Sequence, residues 1–113
     1  TAGRLSYFTY TIRKNGRLVD DLTSYLGAPM HLAIVRDDLR DFLHTHGELP
    51  LDPISRLRHT HTTSQHAHTA LPSKFGPDIE AHLTFPAAGG YVIFGEFMHD
   101  GKVVVTHFLV TVQ

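Results

Sequence analysis

The fold is decided by Tyr91-Val-Ile-Phe-Gly-Glu-Phe-Met-His99, Asp100-Gly101 and Lys102-Val-Val-Val-Thr-His-Phe-Leu-Val-Thr-Val112. Both arms are rich in β-branched and aromatic residues, which suit a pleated, half-buried surface. Asp-Gly between them is the dipeptide a two-residue hairpin turn favours, because both turn residues take positive φ. The stretch predicts a long antiparallel hairpin. Working back along the chain, Ile79 to Phe85 alternates like a strand and is closed by the turn Pro86-Ala-Ala-Gly-Gly90. Phe42 to His46 and Met30 to Val35 read as two more strands, joined through the charged turn at Arg36-Asp37-Asp38; helical periodicity is not convincing anywhere, although Asp37 to Asp41 could form a helical turn. Leu5 to Ile12 reads as the first strand, and Asn15-Gly16 turns it towards a short return strand near Leu18-Val19.

About seven short strands separated by turn signals predict an all-β domain, a β-sandwich of immunoglobulin-like or cupredoxin-like type. Tyr91, following a glycine pair and opening a strand, stands where a tyrosine corner would. Residues 48–78 read as one long loop carrying the tract His59-Thr-His-Thr-Thr-Ser-Gln-His-Ala-His68. The 113 residues are the length of one domain, and a hydrophobic share of 42% suffices for a core without staples. With no cysteine, disulfides and thiolate metal sites are excluded within the chain. Ten Lys and Arg against eleven Asp and Glu, with no block of like charge, argue against a nucleic-acid groove. No apolar run reaches the roughly 18 to 20 residues of a membrane-spanning helix. The first residues lack the plan of a signal peptide, so a mature protein or an excised domain is expected.

Histidine is the outlier, with ten residues in a chain that has no Trp and two Met. Protonating all ten would move the formal charge from -1 to +9. His44 and His46 are two apart on a predicted strand, so both imidazoles leave one face and can share an ion at about 2.0 to 2.1 Å. Two partly exposed surface histidines would give the same pattern. His31 bears on the choice through strand register. If the two strands turn at Asp38-Leu39, paired residue numbers sum to 77 and His31 faces His46 while Ala33 faces His44. A slip of one residue sends His31 to the other face.

Three imidazoles leave a fourth position open, as in accessible zinc sites, whereas a planar set suits Cu(II); copper is preferred on the general affinity order, with zinc the alternative. Met30 or Met98 is a candidate thioether for Cu(I), although a lone methionine near a strand is more often core. The pairs His59, His61 and His66, His68 form a second group, either an accessory metal site or a solvated polar tract. Among His82, His99 and His107, each more in keeping with a surface or rim position, His99 is the best further ligand, since it ends a strand beside the turn. Asp37, Asp38, Asp41 and Glu48 flank the His44–His46 strand and are candidates to orient imidazoles or simply to build turns. A nucleophile elbow, a phosphate-binding glycine loop and a His-Glu-x-x-His helix are all absent from the sequence, so hydrolytic and nucleotide-dependent catalysis have no positive support.

The run from Gly27 through His46, followed by Phe85-Pro-Ala-Ala-Gly-Gly-Tyr91 and Gly101 through Val112, resembles bacterial exported β-sandwich domains of the YtkA-like kind. The resemblance covers most of the chain except the His59 to His68 tract. It implies an immunoglobulin-like or cupredoxin-like fold, a periplasmic or extracytoplasmic setting near copper-handling and heavy-metal efflux components, and a metal-transport or efflux partner. It places His31, His44 and His46 on the matching histidine-bearing strands, and Tyr91, Phe97, Phe108, Val110 and Val112 at apolar framework positions. Copper-zinc superoxide dismutase also carries a His-x-His pair on a β-sandwich strand, but the absence of cysteine and of its glycine-rich pattern argues against that enzyme. The expected function is sequestration or transfer of copper, the alternative a protein-interaction module of a larger exported protein with incidental surface histidines.

Overall fold

In a computed structural model, which describes residues 1–51 and 70–113, the alternation of Met30–Arg36 sorts its side chains into two environments. Met30, Leu32 and Ile34 are buried, while His31, Ala33 and Val35 leave the opposite face. Met30 is therefore core and does not share the face of His31. The period of two recurs in Gly89–His99, where Tyr91, Ile93 and Phe97 enter the same core.

The chain is all-β, a β-sandwich of nine strands among the described residues: β1 Leu5–Thr11, β2 Arg13–Lys14, β3 Arg17–Leu18, β4 Leu22–Thr23, β5 Met30–Arg36, β6 Phe42–Gly47, β7 Asp78–Thr84, β8 Gly89–His99 and β9 Lys102–Val112. The expected seven become nine because β2 stands apart from β1 and pairs locally with β3, and because the two-residue β4 is a strand only through its distant partners His99 and Met98. The larger sheet runs β6-β5-β8-β9, and β4 pairs the end of β8 beyond the reach of β5. β1 and β7 form an antiparallel pair whose inward residues Phe8, Tyr10, Ile79 and Ala81 join the core of the larger sheet. A bridge between Glu48 and Glu80 ties the end of β6 to β7.

The β8–β9 hairpin forms as the sequence predicts, with Asp100 and Gly101 both at positive φ and His99 opposite Lys102. Tyr91 donates its phenolic hydrogen to the Ala87 carbonyl at 2.9 Å, a tyrosine-corner bond back to the chain four residues earlier. The stretch Asp37 to Asp41, which could have formed a helical turn, is a hairpin turn: the Leu39 N–H donates to the Arg36 carbonyl, and Leu39 takes φ +61°. Among the described residues no helix is long and apolar enough to cross a membrane. Of the long segment after β6, Phe75 is buried and bridges Leu22. The tract His59, His61, His66 and His68 lies outside the described residues.

Candidate metal centre

The turn between β5 and β6 sets the geometry of the site. Arg36 reaches Asp38 at 3.3 Å and Asp41 at 3.4 Å through Nη1, and its Nη2 donates to the Ala88 carbonyl at 2.7 Å. Asp38 also accepts from the Arg40 N–H at 3.1 Å. Asp38 and Asp41 are thus turn-building residues and not acceptors for the histidine rings. Pinned in this way, the β5–β6 ladder runs with paired numbers summing to 77, so His31 faces His46 and Ala33 faces His44.

Consequently three imidazoles share the outer face of the sheet beside the small Ala33. Ring centroids are 4.6 Å apart for His31 and His46, 5.0 Å for His44 and His46, and 5.8 Å for His31 and His44. One ligand nitrogen from each lies within 4.8 Å of the others. Nε2 of His44 stands 3.2 Å from Nε2 of His46, close to the roughly 3.3 to 3.4 Å expected for two nitrogens on one tetrahedral ion at 2.0 to 2.1 Å.

His31 is oriented from behind. Its Nε2 lies 2.8 Å from the Tyr25 carbonyl, which only accepts, so Nε2 carries the proton and Nδ1 keeps the lone pair. A backbone carbonyl behind a ligating imidazole fixes its tautomer and ring direction. The Tyr25 ring packs edge-on against His31 at 5.5 Å and steadies it further. The pKa of His46 lies below the ordinary 6.5, first through loss of water around the ring and then through repulsion from His31 and His44. The neutral imidazole, the form that binds metal, is favoured there.

Glycine is required where β6 ends. At Gly47 an added Cβ would collide with Cγ2 of Ile79 and lie 3.0 Å from Cβ of Met30. The close approach of β6 to β7 and to Met30 therefore depends on the absence of a side chain one residue beyond His46.

His99 belongs elsewhere. It sits 2.8 Å from an Asp21 carboxylate oxygen and 3.8 Å from Asp100, a group at the β8–β9 turn separate from the triad. The hydrogen bond to His99 is the main reason the Asp21 carboxyl titrates below its usual 3.8. His82 is exposed on β7 near the Tyr7 ring, and His107 is exposed on β9 near the Phe94 ring. Tyr25 and Asp21 were not legible as participants: each meets its histidine through folding rather than through spacing in a strand.

Family membership follows from the whole chain. The chain belongs to the DUF8832 family. That family, described as a domain of unknown function, matches residues 1–113. Comparison with curated proteins and with solved structures gives no match. For this DUF8832 domain, the histidine geometry supplies the argument about chemistry.

Proposed function

We propose that this is an extracytoplasmic transition-metal domain, for copper in the first instance and zinc as the alternative, that sequesters the ion or passes it to a metal-transport or efflux partner. The observation that carries the reading is the convergence of His31, His44 and His46 on one open sheet face, with two Nε2 atoms 3.2 Å apart and the third ring held by a carbonyl. Three neutral nitrogen donors suit Cu(II) and Zn(II) and leave a position for solvent or for an incoming ligand from an acceptor, which is what transfer requires. The extracytoplasmic setting and the efflux partner rest on the resemblance to exported YtkA-like domains.

Competitive titration of Cu(II), Cu(I) and Zn(II) into the wild type and into the His31→Ala/His44→Ala/His46→Ala variant tests this. Loss of tight binding in the variant is expected, and unchanged tight binding removes the triad from consideration. A second reading, an interaction module, is favoured by the apolar residues Phe42, Phe94, Val105 and Leu109 exposed on the same sheet. It requires a partner complex that forms equally well without metal.

A further inference from the structure

The outer edge of β9 has the properties of an interface. Among the described residues β9 pairs only with β8, in an unbroken register from Gly89 opposite Val112 to His99 opposite Lys102. Its other side offers backbone N–H and C=O groups along 11 residues, about 37 Å at roughly 3.4 Å per residue. Edges that stay single are usually short, bulged, broken by proline or studded with charge. β9 contains no proline or bulge, and Lys102 at its first position is its only Lys, Arg, Asp or Glu. Instead Val103 is 45%, Val105 58%, Phe108 50% and Leu109 81% exposed. These residues occupy both faces: Val103, Val105 and Leu109 share the face of His31, while Phe108 stands over an open groove of about 840 Å³ between β1 and β9, 5.6 Å from the Tyr10 ring.

We propose that β9 pairs antiparallel with β9 of a second copy of this chain, giving a two-fold dimer with one sheet continuous across the axis. The edge has almost no charge with which to select a different partner. Antiparallel pairing of a strand with itself is a closed two-fold operation, so it uses the edge up rather than propagating a fibre. A stable interface needs on the order of 800 Å² from each partner, which favours pairing along the whole 11-residue strand over a shorter register. Full-length pairing puts the axis at His107, the middle of Lys102–Val112. Val105 then faces Leu109 of the partner subunit, and Val104 faces Val110 of the partner subunit. The two most exposed apolar positions of the strand cover each other, which is the self-complementarity a two-fold contact demands.

Sedimentation of the full chain in excess chelator, from micromolar to submillimolar concentration, tests the proposal independently of metal. The wild type should be a dimer. Val105→Lys/Leu109→Lys sets like charges opposite each other at two positions and should raise the dimer dissociation constant at least ~100-fold, with an unchanged circular-dichroism spectrum. Leu39→Lys, at an exposed turn residue away from β9, should leave the dimer intact. Because the chain has no cysteine, oxidised His107→Cys should yield a covalent dimer, while Leu26→Cys, also exposed and off the edge, should not. A monomeric wild type overturns the proposal. So does a dimer indifferent to the paired lysine substitutions, or failure of His107→Cys to cross-link.

Discussion

Among the described residues, two groups of side chains each bring three ligand atoms within 4.8 Å of one another and differ in chemistry. At the outer face of β5 and β6, His31, His44 and His46 bring three nitrogen donors together with no carboxylate among the three. At the β8–β9 turn, His99 is already bonded to Asp21 at 2.8 Å, with Asp100 behind it. In the first cluster the partner outside the triad is a carbonyl that aims a ring and leaves its lone pair free. In the second the histidine is the donor that satisfies a carboxylate, and the contact staples β4 to the long hairpin. Closeness of ligand atoms is thus a weak criterion by itself. What separates a receptive site from a structural contact is what each ring is bonded to: His44 and His46 share an Nε2–Nε2 hydrogen bond that two bonds to an ion would replace, whereas His99 is held by a carboxylate.

Removing one histidine from each cluster is the sharpest way to break that comparison. His44→Ala should weaken Cu(II) binding by more than about 100-fold, the upper end of what loss of an outer-shell partner alone costs. His99→Ala should leave the affinity within threefold. Isothermal titration with a competing chelator reads both, and equal losses would show that the two clusters are not chemically distinct.

A second test moves the ligands without deleting them. Gly47→Ala forces a methyl against Ile79 and Met30, and overpacking of this kind costs about 1 to 3 kcal/mol. Urea unfolding should show that loss, and the metal affinity should fall with it because β6 must shift next to His46. The corresponding change at Gly101, where positive φ but no neighbour constrains the residue, should lower stability with no change in affinity. Acid should also affect the triad first. His46 is depressed below 6.5, so folding favours its neutral form: the stability this adds is complete above about pH 6.5 and is lost as pH falls through the lower folded value. Apparent metal affinity should fall over the same range because protons compete for the same lone pairs. A flat profile between pH 7.5 and 5 would remove the imidazoles from the binding reaction.

Much of this contrast was readable from the chain, for local reasons. Asp100-Gly101 and the turn at Asp38-Leu39 fix two hairpins, and with them the register that puts His31 opposite His46. The inward face of Met30, by contrast, is settled only by the structure, where the alternation of Met30 to Val35 buries Met30 and turns His31 outward. What escaped depends on partners far along the sequence. β4 is two residues long and exists through Leu22 and Thr23 pairing with His99 and Met98. Asp21 and His99 are 78 residues apart, and no periodicity connects them. Asp38 and Asp41 could be named as turn residues or as imidazole acceptors, and only the position of Arg36 decides between the two.

The smallest expected effect tests the structural member of the pair. Asp21→Asn keeps the side-chain shape and removes the charge that His99 faces, so a modest drop in melting temperature at pH 7 is expected, with metal affinity unchanged. The pH dependence gives the sign. The Asp21 carboxyl is lowered by its bond to His99, so the stability it contributes is present above the unfolded value near 3.8 and is lost as pH falls through the lower folded value. The gap between wild type and Asp21→Asn should therefore persist down to about pH 4 and narrow only below it, whereas the His46 effect starts to fade once pH drops below 6.5. Two groups that each gather three ligand atoms would in this way begin to lose their roles in different parts of the acid range. A gap that closed near pH 6 would mean that Asp21 owes its contribution to something other than its carboxylate charge.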